Sequence, residues 1–181
     1  MAVTFSNIIT GEGNLSIGAT VGTVSNVGAT QDGAEIAWEP DMVDIEVDQF
    51  GDAARVVVSK IKVSIKTKLA EATLENLALA WNLQTTGAES EISYGASTKT
   101  LRMGIQSVYP VERAMVLTGI APGTTGTTTK LRTYTCSRVM QYSSSSHMLK
   151  RSENVSYPVD FRVLPDGANT GQEYGTIVDA L

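Results

Sequence analysis

The chain has 181 residues, 42% of them hydrophobic, and a net charge of −5. That is long enough for one domain with a sizeable core and too apolar for a disordered chain, while no run approaches the ~20 apolar residues of a bilayer-spanning helix. A single cysteine, Cys136, excludes an intrachain disulfide and a cysteine-built metal site, and a single histidine, His147, leaves little material for metal or triad chemistry.

Residues 1–13, MAVTFSNIITGEG, lack a basic n-region and an apolar h-region, so no secretory signal is expected. Gly, Thr, Ser and Asn dominate the next stretch, about 10–33, which is expected to form a hairpin or a long loop with weak strands at 15–17 and 21–27. A clearer strand starts at EIAWE, with Ile36 and Trp38 on one face. Pro40 is expected to break it, because proline cannot donate to a ladder. The pattern resumes at 43–48, where Val43, Ile45 and Val47 alternate with Asp44, Glu46 and Asp48. Successive side chains of a strand point to opposite faces, so the three carboxylates share one face.

QFGDA marks a turn. After it, RVVVSKIKVSIKTKL alternates an apolar set (Val57, Ile61, Val63, Ile65) with a lysine set (Lys60, Lys62, Lys66, Lys68), the signature of a strand with one solvated face. A hairpin whose paired residue numbers sum to an even value would set those lysines against the three carboxylates. The period then changes. In KLAEATLENLALAWN, Ala70, Leu74, Leu77 and Trp81 recur at helical spacing, which predicts one helix over about 68–82, capped by Thr67, with that face packed inward. Strands are expected at 101–109, 113–118, 131–142 and 155–164. Pro158 in the last suggests an edge or a bulge. The loops 121–130 and 143–148 are polar. The fold class is mainly β, a sandwich or barrel with one flanking helix in a single domain spanning 1–181.

Charge is unevenly spread. Residues 1–54 hold nine acidic groups and no Lys or Arg, while 55–181 hold fourteen basic and ten acidic groups, a net of +4. The two parts either neutralise each other within one fold or serve self-association between copies.

No catalytic motif stands up. GEGNLSIG displaces the third glycine of a dinucleotide fingerprint, and GTTGTTTK lacks the Gly-Lys-Ser/Thr of a phosphate loop. DIEVDQFGD alternates acids as a calcium loop does, but its sixth and twelfth positions are Gln49 and Arg55 where glycine and glutamate are required. Asp44, Glu46 and Asp48 remain open to three uses: divalent-ion binding, acid/base work, or a surface that must be acidic. His147, in a serine-rich loop, is expected to be solvent-exposed. Cys136 is expected to be a small buried side chain, and Trp38 and Trp81 core or interface anchors.

Two segments carry a resemblance. VGATQDGAEIAWEPDMVDIEVDQFGDAARVVVSKIKVSIKTKLAEATLENLALAWN and SYPVDFRVLPDGANTGQEYGTIVDA together cover about half the chain. In the order of acidic strand, Gly turn, long strand, Leu-Ala-Glu-x-Thr-Leu-Glu-Asn-Leu helix and closing aromatic-Pro-Val-x-Phe strand, they resemble the tail tube proteins of long-tailed bacteriophages. The fold is shared with the inner tubes of contractile tails and type VI secretion. The resemblance implies a non-catalytic structural virion protein without cofactor or metal. Six subunits would form a ring, and rings would stack into a hollow tube through which DNA passes to the host cell. Its partners would be further copies, a tape measure and a terminator protein, and DNA in transit without specific binding. It would have no membrane anchor, and would be assembled in the host cytoplasm into the virion tail. On that reading Asp44, Glu46 and Asp48 line an acidic channel. The alternatives are another ring of such a machine, an initiator or terminator, and a non-catalytic carbohydrate- or receptor-binding β-sandwich module.

Overall fold

The computed structural model describes residues 11, 13–49, 52–85, 90–103, 109–124, 129–149, 151–152 and 154–180. Ten strands, one α-helix and a short 3-10 turn at Val21–Thr23 are present among them. β1 is Asn14–Gly18, β2 Ser25–Asn26, β3 Thr30–Ile45 and β4 Arg55–Leu69. The helix α1 is Leu74–Ala80. There follow β5 (Ile92–Tyr94), β6 (Lys99–Leu101), β7 (Arg113–Ile120), β8 (Leu131–Gln141), β9 (Tyr157–Val163) and β10 (Thr176–Asp179). Eight strands form one antiparallel sheet in the order β2-β1-β7-β8-β9-β4-β3, with β10 on β8, while β5 and β6 make a separate hairpin.

The sheet must curl. β2 and β3 stand at opposite ends of the strand order, yet only residues 27–29 join them. Three residues reach about 10 Å, so the ends are drawn together into an incomplete barrel. Backbone bonds fix the junction: Val27 N–H donates to the Leu15 carbonyl at 3.0 Å, and Ala70 N–H to the Ala29 carbonyl at 2.9 Å. Glu71 Oε1 accepts from Ala29 N–H at 2.9 Å.

One hydrophobic cluster fills the concave side. Phe161, Leu15, Ile65, Leu69, Met115 and Val139 are its largest fully buried members. Each such side chain contributes about 1.5–3 kcal/mol by leaving water. The alternation of β9 holds: Tyr157, Val159, Phe161 and Val163 are buried, and the residues between them are half-buried. Pro158 sits where only β4 pairs with β9, since the β8 ladder reaches no further than Phe161. The freed Pro158 carbonyl accepts from Ser145 Oγ at 2.7 Å.

Several expectations are corrected. The glycine-rich stretch forms the expected hairpin, β1 against β2, with Leu15 in the core, but 21–23 is a 3-10 turn and not strand. Pro40 does not interrupt β3, because β3 is the end strand of the sheet and needs no donor on its outer side. The helix is shorter than expected. Pairing with β9 keeps residues through Leu69 in β4, so Ala70 lies before the helix. Thr73, not Thr67, caps the helix, its Oγ1 accepting from Asn76 N–H at 3.2 Å. The inward side is Asn76, Ala78, Leu79 and Ala80; Leu74, Leu77 and Trp81 are half-buried. Of the expected strand 101–109, the described residues show strand at Leu101, the end of β6; residues 104–108 of it, 50–51 of the turn and 125–128 of the polar loop lie outside the described residues.

Candidate assembly surface

β3 and β4 make one long hairpin. β3 has 16 residues, about 50 Å at ~3.3 Å per residue. β9 pairs with β4 only from Val63 to Leu69, so the rest of the hairpin projects from the body as an arm.

Nearest the body the register is regular. Ile36 faces Ile65, Trp38 faces Val63, Glu39 faces Lys62 and Asp41 faces Lys60. Residues directly opposite share a sheet face, so one face is apolar and the other is a ladder of opposite charges. Lys62 Nζ lies 3.1 Å from Glu39 Oε2, Lys68 Nζ 2.7 Å from Asp32 Oδ2, and Lys60 Nζ 4.0 Å from Asp41 Oδ2. These groups are exposed, and such pairs are worth about 0–1 kcal/mol each. The lysines therefore oppose Glu39 and Asp41, with Lys66 opposite Glu35. They do not oppose Asp44, Glu46 and Asp48.

All the lysines lie on the body side of a bulge. Between Asp41/Lys60 and Met42/Val58 the register shifts and Ser59 has no partner across the hairpin; its Oγ donates to the Asp41 carbonyl at 3.1 Å. One extra residue inverts the parity of β4 beyond that point. Met42 and Asp44 now pair with Val58 and Val56 on one face, and Val43 and Ile45 with Val57 and Arg55 on the other. The outer arm is thus apolar on both faces, and both are open: Met42 is 58% exposed, Val58 54%, Val43 49% and Ile45 43%. The strand ends at Ile45, so Asp44 is the only one of the three carboxylates on it. Glu46 and Asp48 follow in the tip, with Asp52 beyond. All are exposed.

Nearer the body Trp38 is 58% exposed and meets Tyr174 edge-on, ring centroids 5.9 Å apart. Tyr174 also donates its hydroxyl to the Ile61 carbonyl at 3.3 Å, which ties the segment before β10 to the root of the arm. β10 is held on β8 by a two-pronged pair, Arg132 Nε and Nη2 on Asp179 Oδ1 and Oδ2 at 2.6 and 2.7 Å. That guanidinium holds the Asp179 carboxyl below its ordinary range. Arg138 grips Glu112 in the same way at 2.8 Å and lowers its carboxyl likewise.

The remaining candidates have structural surroundings. Cys136 is buried, and burial pushes its thiol up to about 11, which leaves it unreactive as a nucleophile. His147 is half-buried, contrary to expectation: its ring lies 5.0 Å from Tyr157 and 6.1 Å from Trp81, and this contact anchors the serine-rich loop. Trp81 is accordingly an anchor beside the helix end. Buried Arg113 was not singled out by sequence. It donates to Asn82 Oδ1 at 2.9 Å and the Leu83 carbonyl at 2.5 Å, closing the helix C-terminus, and desolvation lowers it to about 10. Among the described residues, no three His, Cys, Asp or Glu side chains are placed to hold a metal ion, and no helix is long and apolar enough to cross a membrane.

The apolar outer arm is what sequence reading missed. Its signal is present: Val56, Val57 and Val58 are consecutive, and three consecutive strand residues cannot share a face.

No protein-family model matches the chain, and no curated protein matches it.

Proposed function

We propose that the chain is a structural, self-assembling subunit of a hollow tube, of the kind formed by the tail tube proteins it resembles, and that it performs no catalysis. Six copies close a ring, rings stack, and DNA leaves the virion through the channel. The observation that carries this proposal is the arm, about 25 Å of two-stranded ribbon whose outer part exposes Met42, Val43, Ile45, Val56 and Val58 to water. Among the described residues, β3 also ends the sheet with an edge that no strand covers. Apolar surface on both sides of a ribbon with a free edge is unfavourable in a solitary subunit and favours association.

Asp44, Glu46 and Asp48 serve as part of an acidic channel lining. DNA presents a dense row of phosphates, and a basic wall would bind it with release of counterions. Carboxylates repel it and keep the path slippery. No lysine faces these carboxylates across the hairpin, which leaves their charge available for that role.

Negative-stain microscopy of the purified protein tests the proposal. Tubes with a central channel support it. Single closed rings would favour a terminator or initiator, and monomers that bind glycans would favour a receptor-binding module.

A further inference from the structure

β3 carries a second irregularity, at its root. Gln31 pairs with Lys68 and Ala34 with the next residue of β4, Thr67, so Asp32 and Gly33 are both extra. Both are left-handed, with φ of 64° and 73°. Glycine adopts that region freely, and aspartate is one of the few other residues that tolerate it. The pair is held from β4: Lys68 Nζ lies 2.7 Å from Asp32 Oδ2, and Thr67 Oγ1 donates to the Gly33 carbonyl at 2.7 Å.

Two extra residues act differently from the single one at Ser59. One inverts the faces of a strand, and two restore them. With or without this bulge, Ile36 and Trp38 share the apolar face, and Glu35, Glu39 and Asp41 the charged one. What changes is position along β4. Were Asp32 and Gly33 part of the ladder, Trp38 would meet Ile61 in place of Val63 and Glu39 would meet Lys60 in place of Lys62, while Glu35 and Asp41 would lose their lysines to Ser64 and Val58. β3 would stand two residues nearer the tip, about 7 Å. Alternation alone does not choose between these registers, because Lys60, Lys62, Lys66 and Lys68 repeat at even spacing.

We propose that Asp32 and Gly33 set the register of the arm. The bulge holds β3 two residues back along β4, and so fixes where Met42 and Val43 stand relative to the body. Asp32 contributes twice. In the bulge it accepts the left-handed backbone and pairs with Lys68. In the ladder it would lie opposite buried Thr67, on the face of Ile36 and Trp38, where a carboxylate is unfavourable. Both are positioning residues for the arm, and the inference rests on the hairpin alone.

Cysteine cross-linking reads the register. Residues directly opposite have Cα atoms about 4.5–5.5 Å apart, within disulfide reach, and diagonal neighbours about 7–8 Å, outside it. In the parent, Glu39→Cys joins Lys62→Cys under mild oxidation with diamide and does not join Lys60→Cys. With Asp32→Val and Gly33→Val together the preference reverses, because a β-branched residue is strongly disfavoured at positive φ and an apolar side chain at position 32 suits the apolar face. Deleting Asp32 and Gly33 removes the bulge without a slide, since Gln31 and Ala34 already pair with consecutive residues of β4, and the parent cross-link is kept. A doubly substituted chain that keeps the Glu39–Lys62 cross-link, or a shortened chain that loses it, overturns the proposal. If the double substitution prevents folding, Gly33→Ala alone decides: a mixture of both cross-links supports the proposal, and the parent cross-link alone overturns it. Each result is read on the single subunit, so it stands apart from whether tubes form.

Discussion

Asp44 lies across the hairpin from Val56, with no lysine opposite it. The register of the whole hairpin leaves two populations of carboxylate on one strand, and the bulge at Ser59 sets Asp44 against Val56. Glu39 and Asp41 are neutralised by lysines of β4; Asp44 is not.

Replacing Asp44, Glu46 and Asp48 together by lysine should therefore leave the fold intact. The side chains are exposed and make no ion pair among the described residues, so unfolding free energy in urea should change by less than ~0.5 kcal/mol. Tubes built from the variant should bind DNA in a salt-dependent way and slow its ejection. Unchanged ejection through such tubes would remove these carboxylates from the path.

The helix offers a ranking. Leu79 is 5% exposed and belongs to the core cluster, whereas Leu77 is half-buried at its margin. Leu79→Ala should cost about 2–4 kcal/mol and Leu77→Ala clearly less. Denaturant titration of both variants checks the order, and an inverted order would mean that the helix packs through the face expected from periodicity.

Arg113 should be hard to replace. Arg113→Ala strands Asn82 Oδ1 and the Leu83 carbonyl without their donor, at about 1–3 kcal/mol. Arg113→Lys keeps the charge but not the fork, and should restore less than half the lost stability. Full rescue by lysine in thermal melts would show that charge alone matters there.

Acid should loosen β10. The Asp179 carboxyl is lowered in the folded state by Arg132. Its contribution is thus fully present above the unfolded value of ~3.9 and is lost as pH falls through the lower folded value. Stability from this pair should be flat from pH 7 to about 5 and decline below about 4. Asp179→Asn should be less stable than the parent at neutral pH and converge with it in strong acid. A constant difference at all pH values would contradict the assignment.

Much of the fold was legible because alternation reports burial directly. β9 reads its core face off Tyr157, Val159, Phe161 and Val163, whereas β7 and β8 were located as strands although their burial does not alternate. The helix was seen but overextended, since periodicity cannot tell that Leu69 is already committed to Tyr157 across a ladder. Pro40 was misjudged because a strand's place at the sheet edge is a property of topology, not of the strand. The site was the least legible part. Which charges face the lysines depends on the register of the whole hairpin, and the pattern of neither strand alone fixes how the two align.

The central claim is that this chain builds a tube through surfaces the lone subunit leaves uncovered. Negative-stain electron microscopy of the purified full chain, across a concentration series into the high micromolar range, tests it most directly. Stacked rings with a visible axial channel are predicted, and their loss when Met42, Val43, Val56 and Val58 are all changed to serine or threonine. Particles that stay single and compact at every concentration would contradict it.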